Sequence, residues 1–147
     1  MLKENRKIER ACPVGLAAEL VCDKWMPVLL RDIGLFELCS FNQILKNNAE
    51  GISSGTLAAK LKRLEYVGVI GFTQVNDHSQ KKIYYLTESG IDLMPVLFAL
   101  AAWSLKWQGR SEQYAAMVEH YHTPPSSEMR ELQAKLRRFI PSTCEVN

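Results

Sequence analysis

The apolar residues of this 147-residue chain change their spacing at Gly68. Before it, Leu57, Leu61 and Leu64 recur every three or four residues, which is the period of one helix face. After it, the segments "VIGFTQV" and "KKIYYLT" are rich in β-branched and aromatic residues, as strands are. The turn-forming stretch "NDHSQ" separates these segments. The sequence therefore predicts a helix followed directly by a β-hairpin.

Proline and serine residues mark helix starts on the N-terminal side of this unit. The stretch "CPVGLAAELVCDKW" opens a helix, with Pro13 suited to its first position. Pro27 starts, or kinks, a second short helix over "MPVLLRDIGLF". Ser40 is placed as the N-cap of "FNQILKNN", and Ser53 as the N-cap of the helix that carries the leucines. The sequence therefore predicts four helices before the hairpin.

The chain after the hairpin predicts two more helices. Thr87 can cap a long apolar helix, in which Pro95 must introduce a bend or mark the true start. Beyond Gly109 the sequence is polar, and a helix is predicted again only at 128–140. The order of helix, turn, basic helix and hairpin is that of a winged helix-turn-helix. We therefore expect a mainly α fold with a small β-hairpin wing (α+β).

Positive charge is concentrated in the same unit. The whole chain has a formal net charge of only +2. Residues 51–86 hold five basic side chains against Glu65 and Asp77, a net charge of +3, so the rest of the chain is slightly acidic. A local group of cations on a helix that fits the major groove is the electrostatic pattern of a DNA-binding surface.

Side chains at the start and on the outer face of the basic helix are the candidates for DNA contacts, because the N-terminal residues of a helix in the major groove reach base edges. They are Ser53, Ser54, Thr56, Ala59, Lys60, Lys62 and Arg63 in the helix, and His78, Lys81 and Lys82 in the hairpin. A basic helical face is often only solvated, however, and Ser53 is first of all a helix cap. A winged-helix protein-interaction module without specific DNA binding is the alternative.

Four motifs, in order, resemble those of one known family. They are "CPVGLAAELVCDKW", "ISSGTLAAKLKRLEYVGVI", "YYLTESG" and "LMPVLFALAAW", which all lie within residues 12–107. In these motifs the chain is similar to the HxlR-type winged-helix transcriptional regulators, relatives of the MarR superfamily. Each motif alone is weak, but four at the right separations are specific. The resemblance implies a recognition helix at 53–66 and a wing at 70–86.

The resemblance also implies a homodimer on a palindromic or near-palindromic operator in double-stranded DNA. Residues 1–108 would form the DNA-binding domain with N- and C-terminal dimerisation helices, and 109–147 would be a C-terminal extension. The helix "VLFALAAWSLKW" carries more apolar surface than a small core needs, which agrees with a subunit interface. The alternative is that its tryptophans pack inside one subunit. The expected interface residues are Leu97, Leu100, Trp103, Ser104 and Trp107.

Two cysteines receive different predictions. Cys12 precedes Pro13 at a helix N-terminus, where partial positive charge favours the reactive thiolate. Several members of the family sense oxidants or electrophiles through a matching cysteine, so the resemblance makes Cys12 a candidate redox sensor. A small buried capping residue is an equal alternative, and a small ligand could control DNA affinity instead. Cys22 is expected in the core.

Other classes of function find little support in the sequence. His120 and His122 lie two residues apart, on different sides of a helix, so no metal site is expected. Motifs of nucleotide-binding and hydrolytic enzymes are absent, and neither catalysis nor a cofactor is expected. The apolar run at 93–103 is shorter than the roughly 20 residues of a membrane span. Four cysteines without paired spacing and no secretory signal predict a cytoplasmic protein.

Overall fold

The computed structural model describes residues 12–76, 80–109, 111–122 and 126–141. Within these ranges the predicted mainly α fold with a two-stranded hairpin is confirmed. The elements are α1 (Pro13–Val21), α2 (Trp25–Gly34), α3 (Phe41–Asn47), α4 (Ser54–Val67), β1 (Ile70–Gln74), β2 (Lys82–Leu86), α5 (Glu88–Asp92), α6 (Met94–Trp107), α7 (Glu112–His122) and α8 (Ser127–Arg137).

Local caps define the ends of α3 and α4. Ser40 forms a reciprocal capping box with Gln43: the Ser40 hydroxyl accepts from the Gln43 backbone N–H, and the Gln43 amide oxygen accepts from the Ser40 N–H. The Ser53 hydroxyl accepts from the backbone N–H of Thr56 and caps α4. α4 ends at Gly68, whose φ of +84° is a left-handed conformation that glycine adopts without steric cost.

The hairpin is antiparallel, with Ile70 opposite Leu86 and Gln74 opposite Lys82. Its base is part of the core, since Ile70, Tyr84 and Leu86 are buried, whereas the outer half of β1 is exposed. The two strands thus extend from the body of the protein, which is the arrangement of a wing.

One hydrophobic core joins the helices and the base of the hairpin. Its most deeply buried members include Leu29, Ile44, Leu57, Leu61, Leu64, Leu86 and Ile91. The core holds α4 by its leucine face. The remaining surface of α4 lies outside the core, and part of it is exposed to contacts with other molecules.

The region after the hairpin differs in part from the sequence-based prediction. Thr87 caps the short helix α5, and Pro95 lies in the first turn of the separate helix α6, so the proline marks a true helix start. The stretch after Gly109 is not simply a polar tail, because α7 is helical and buries Ala115 and Val118. These two small apolar residues give too weak a periodic signal to predict α7 from the sequence.

The predicted C-terminal helix is α8, although it spans Ser127–Arg137 rather than 128–140. It packs on α5 and β2 of its own chain. The Nε of Arg137 lies 2.8 Å from a carboxylate oxygen of Glu88 in α5, which adds a charged contact at the edge of the packed face. A division of the chain at residue 108 stays a prediction. The buried face of α8 consists of Met129, Leu132 and Leu136.

Candidate nucleic-acid and subunit interfaces

The outer face of α4 is polar and largely exposed. Leu57, Leu61 and Leu64 are at most 1% exposed and anchor the helix in the core. Around the rest of the helix, most of the residues predicted to contact DNA are exposed, and Thr56 and Lys60 are half-buried. The exposed ones are Ser53, Ser54, Ala59, Lys62 and Arg63.

The first turn of α4 combines a cap with an open surface. Ser53 Oγ donates to Thr56 Oγ1 at 2.9 Å in addition to capping the helix, so these two hydroxyls already bind each other. Ser54 is exposed beside them. A Cβ added to Gly55 would meet no atom within 4 Å. The helix start thus offers space for a close approach of another molecule.

Lys60 does not simply extend into solvent. Its ammonium group forms an ion pair with Asp23, in the turn between α1 and α2. The hydrogen bond from Lys60 lowers the pKa of the Asp23 carboxyl. Lys60 therefore ties α4 to this turn, and part of its charge is balanced inside the chain.

Lys62 and Arg63 are the exposed cations of the helix. The guanidinium of Arg63 lies 5.7 Å from the centre of the Tyr66 ring, and Tyr66 is itself 55% exposed. A planar cation beside an exposed aromatic ring is a surface suited to phosphate or base contacts.

An ion pair connects the hairpin to α4. Lys82 Nζ lies 3.1 Å from Glu65 Oε1 and 3.9 Å from the centre of the Phe72 ring. This ion pair ties the outer end of β2 to α4. Lys81 is exposed, whereas His78 lies outside the described residues.

Helix α6 exposes a continuous apolar stripe, defined by Val96, Leu100, Trp103 and Trp107. Their exposed fractions are 41%, 48%, 56% and 66%. Spacings of four, three and four residues place these side chains on one side of the helix. The alternative that the tryptophans pack inside one subunit is therefore wrong.

The other predicted interface residues lie beside the stripe. Leu97 and Ser104 are half-buried, and Ser104 Oγ donates to Gln108 Oε1 at 2.9 Å. Leu97 lies against the core. The 20-residue stretch Glu88–Trp107 is long and apolar enough by length and composition to cross a membrane, but the core helix of a soluble protein can meet the same criteria.

Helix α1 is exposed on most sides. It contains no buried residue, and Val14 is 76% exposed. Cys22 lies at its C-terminal end and is exposed, so the predicted core position of Cys22 is wrong. The Leu20 and Val21 side chains before it are only half-buried, because α1 lies at the edge of the fold.

Cys12 lies at the N-terminal end of α1 and is exposed rather than buried. Its side chain makes no capping hydrogen bond, but the backbone N–H groups of Gly15 and Val14 lower the pKa of its thiol. Burial and the nearby Glu37 carboxylate instead raise the pKa of the Cys39 thiol. Of these two cysteines, Cys12 has the more thiolate character.

A polar network before α4 is not foreseen by the sequence. Arg31 of α2 donates to the Asp32 carboxylate at 2.6 and 3.0 Å and to the Glu50 carboxylate at 2.7 and 2.8 Å. Asp32 is 1% exposed, and its second oxygen accepts from Asn48 Nδ2 at 2.8 Å. The hydrogen bonds from Arg31 lower the pKa of Glu50. The adjacent charges "RD" are the only signal of this network in the sequence.

The comparisons with known proteins identify a helix-turn-helix family and transcriptional regulators similar to this chain. The profile of the HxlR-like helix-turn-helix matches residues 20–112. The uncharacterised HTH-type transcriptional regulator Rv3095 of Mycobacterium tuberculosis is 31% identical over 108 residues, which cover 74% of this chain and 66% of that protein. The chain thus spans about two thirds of the length of this relative. The HTH-type regulator sll1512 of Synechocystis is 29% identical over 96 residues, 65% of this chain and 70% of that protein.

Two solved structures share the fold. The crystal structure of PA1607, described as a candidate transcription factor, has a TM-score of 0.59 and 28% identity, and covers 67% of each chain. The reduced form of the transcriptional regulator YodB from B. subtilis has a TM-score of 0.56 and 26% identity, over 69% of this chain and 99% of that one.

Proposed function

We propose a function for this chain from one premise: it belongs to the HxlR-like helix-turn-helix family and is a transcriptional regulator of that type. We infer that it binds double-stranded DNA in the cytoplasm as a homodimer, on an operator whose half-sites form a palindrome or nearly so. The observation that carries this proposal is the exposed basic face of α4, which the ion pair between Glu65 and Lys82 holds beside the wing. Catalysis has no part in it.

The residues of α4 divide into those that contact DNA and those that position the helix. We assign the direct contacts to Ser54, Lys62 and Arg63, because they are exposed at the start and on the outer face. Ser53, Thr56 and Ala59 line the same entry surface. Lys60 and Lys82 are already paired within the chain, so we assign them a positioning role and a weaker charge contribution. Lys81 and His78 complete the wing contact.

Charge reversal at Lys62 and Arg63 tests this assignment. The double variant K62E/R63E should weaken binding to an operator, selected from random duplexes, by roughly 100-fold, since two charged contacts are lost and replaced by repulsion. Fluorescence anisotropy measures the affinity. Reversal of Lys60 would be ambiguous, because it would also place a carboxylate against Asp23.

The matched control is the double variant R130E/R138E, which makes the same charge change at two exposed positions, one in α8 and one directly after it. It should bind the operator within a few-fold of the unmodified chain. Equal losses in both double variants would show only a response to net charge, and unchanged binding by K62E/R63E would contradict the placement of α4 on DNA.

The salt dependence of binding distinguishes this proposal from the alternative of a protein-interaction module without specific DNA binding. Binding to DNA weakens by roughly 0.9 log units per log unit of salt for each phosphate contacted. If the same face bound a protein partner instead, the affinity would not fall with salt in proportion to a number of phosphate contacts. No sequence preference in the selected duplexes would favour the module.

For the homodimer, the support is the apolar stripe of α6 together with the exposed helix α1. A stripe that includes two tryptophans at 56% and 66% exposure is unfavourable in water and suits burial against a second copy. A two-fold interface presents the same patch twice, so the stripe could pack on itself.

We propose Cys12 as a thiol sensor of oxidants or electrophiles. Its support is an exposed sulfur and a lowered thiol pKa; the similar regulator YodB was solved in a reduced form. Alkylation by iodoacetamide, followed peptide by peptide by mass spectrometry, should be faster at Cys12 than at Cys39 at neutral pH, because the thiolate is the reacting species. A Cys12 thiol with an ordinary pKa near ~8.5 would contradict the sensor.

A further inference from the structure

A cavity of about 630 Å³ opens between α2, α6 and α7. This volume lies within the roughly 300–1,000 Å³ range of small-molecule sites. One wall comes from α7, which extends beyond the family match at 20–112. The lining is mostly apolar and includes Val28, Phe98, Ala101 and Met117. It also includes Leu97, Leu100 and Trp103, which are among the expected subunit-interface residues, so the cavity adjoins that interface.

The few polar groups of the lining are Arg31, Ser104 and Gln108. The Gln108 amide oxygen accepts from the Ser104 hydroxyl, and the Gln108 NH₂ group is a donor. Arg31 uses four of its five N–H groups on Asp32 and Glu50, so one donor is left over from these bonds.

The charges beside the cavity limit the class of ligand that it can bind. The two carboxylates on Arg31 more than balance its positive charge, so the cavity has no net attraction for an anion. The Gln108 NH₂ group and the remaining Arg31 N–H can donate hydrogen bonds, and the walls are mostly apolar. These features suit a neutral, largely apolar molecule that carries an acceptor oxygen.

A chain of hydrogen bonds leads from the cavity wall to the start of α4. Arg31 holds Asp32, and the other oxygen of Asp32 accepts from Asn48 Nδ2. Asn48 Oδ1 accepts from the backbone N–H groups of Glu50 and Ile52, both at 3.1 Å. Ile52 directly precedes Ser53, the cap of α4. A ligand that draws on the Arg31 guanidinium therefore acts on the turn that sets the position of the recognition helix.

We propose that this cavity binds a neutral, largely apolar small molecule bearing an acceptor oxygen, and that the Arg31–Asp32–Asn48 chain transmits its occupancy to the start of α4. The inference rests on the proposed function, because it gives that function's effector a site and a route. A ligand shifts the equilibrium only if it binds the two arrangements of the turn with different affinity, and contact with Arg31 supplies that difference.

Binding is tested with 2-acetylnaphthalene as the probe and tryptophan fluorescence as the signal, since Trp103 lines the cavity. Quenching should saturate at one probe per chain. The charged analogue 2-naphthoate should bind at least roughly tenfold more weakly, because the carboxylates on Arg31 disfavour an anion. The variant A101F fills the cavity and should weaken binding of the probe at least tenfold. The matched control A116F adds the same ring at an exposed position of α7 and should leave binding unchanged.

If A101F does not fold by circular dichroism, V28F fills the cavity from the α2 side and replaces it in the comparison. Quenching that does not saturate, or that A101F and V28F leave intact, would overturn the site. Dissociation of the dimer on adding the probe would also overturn the proposed ligand site. It would show that the cavity is occupied by the partner subunit in the dimer.

The effect of ligand binding on the start of α4 is tested by amide hydrogen exchange of the unmodified chain with and without the probe. Exchange at Glu50 and Ile52 should change several-fold, while exchange in α8 stays constant. Unchanged exchange at both amides with the probe bound would overturn the route. Operator affinity is measured without probe on the same preparation. Intact DNA binding with no probe binding would refute only this inference, and lost DNA binding would refute the proposed function instead.

Discussion

Helices α4 and α6 are both 14 residues long, and both bury one face in the same core. Their outer faces are opposite in chemistry. α4 presents Lys62 and Arg63, whereas α6 presents Leu100, Trp103 and Trp107. The inner faces account for the fold, and the outer faces indicate the partners: a polyanion for α4 and an apolar surface for α6.

The largest expected effect comes from a charge in the apolar stripe. Leu100→Glu would place a carboxylate twice in a two-fold interface, and the dissociation constant of the dimer should rise roughly 1,000-fold or more. Analytical ultracentrifugation measures it. Leu45→Glu makes the same change at another exposed leucine, 37% against 48% exposed, and should leave the dimer intact. Dimers of equal stability in both variants would show that the stripe is not the interface.

A second pair of substitutions separates packing within the chain from packing between chains. Leu132→Ala in α8 should lower the free energy of unfolding by about 2–4 kcal/mol, because it leaves a cavity in the core. Urea unfolding at low protein concentration measures this. Leu100→Ala under the same conditions should cost less than about 1 kcal/mol, since the side chain is 48% exposed. Equal costs would remove the distinction between the two faces.

The smallest effect is expected at the start of α4. Gly55→Ala should stabilise the fold by up to about 1 kcal/mol, because glycine is a poor helix residue and the added methyl group meets no atom within 4 Å. If the glycine serves a close approach to DNA, the same variant should bind the operator more weakly despite its greater stability. Stability by urea and affinity by anisotropy are measured side by side. Unchanged affinity would mean that the glycine is merely tolerated.

The sequence predicts the winged unit well because its signals are local. The leucine stripe of α4, the caps Ser40 and Ser53, and the left-handed end at Gly68 each need only a few neighbouring residues to be recognised. The same holds for the hairpin, in which two segments with strand-like residues are separated by a turn-forming stretch. The position of the basic face follows directly from the leucines on the opposite side.

The sequence does not predict contacts that depend on tertiary structure. The pair between Lys60 and Asp23 joins residues 37 positions apart, and it balances part of the charge of Lys60. The network around Arg31 and Asp32 likewise needs the turn before α4 to fold back on α2. Helix α7 is missed because its buried residues are small and few. Such contacts leave no periodic signal in the chain.

Hydroxyl-radical footprinting of the selected operator tests the central claim most directly. A dimer that presents two α4 helices should protect two half-sites related by two-fold symmetry, with centres about 10 base pairs apart or a multiple of that. Leu100→Glu should lose this paired protection. A single protected half-site, or paired protection that persists in K62E/R63E, would contradict the account.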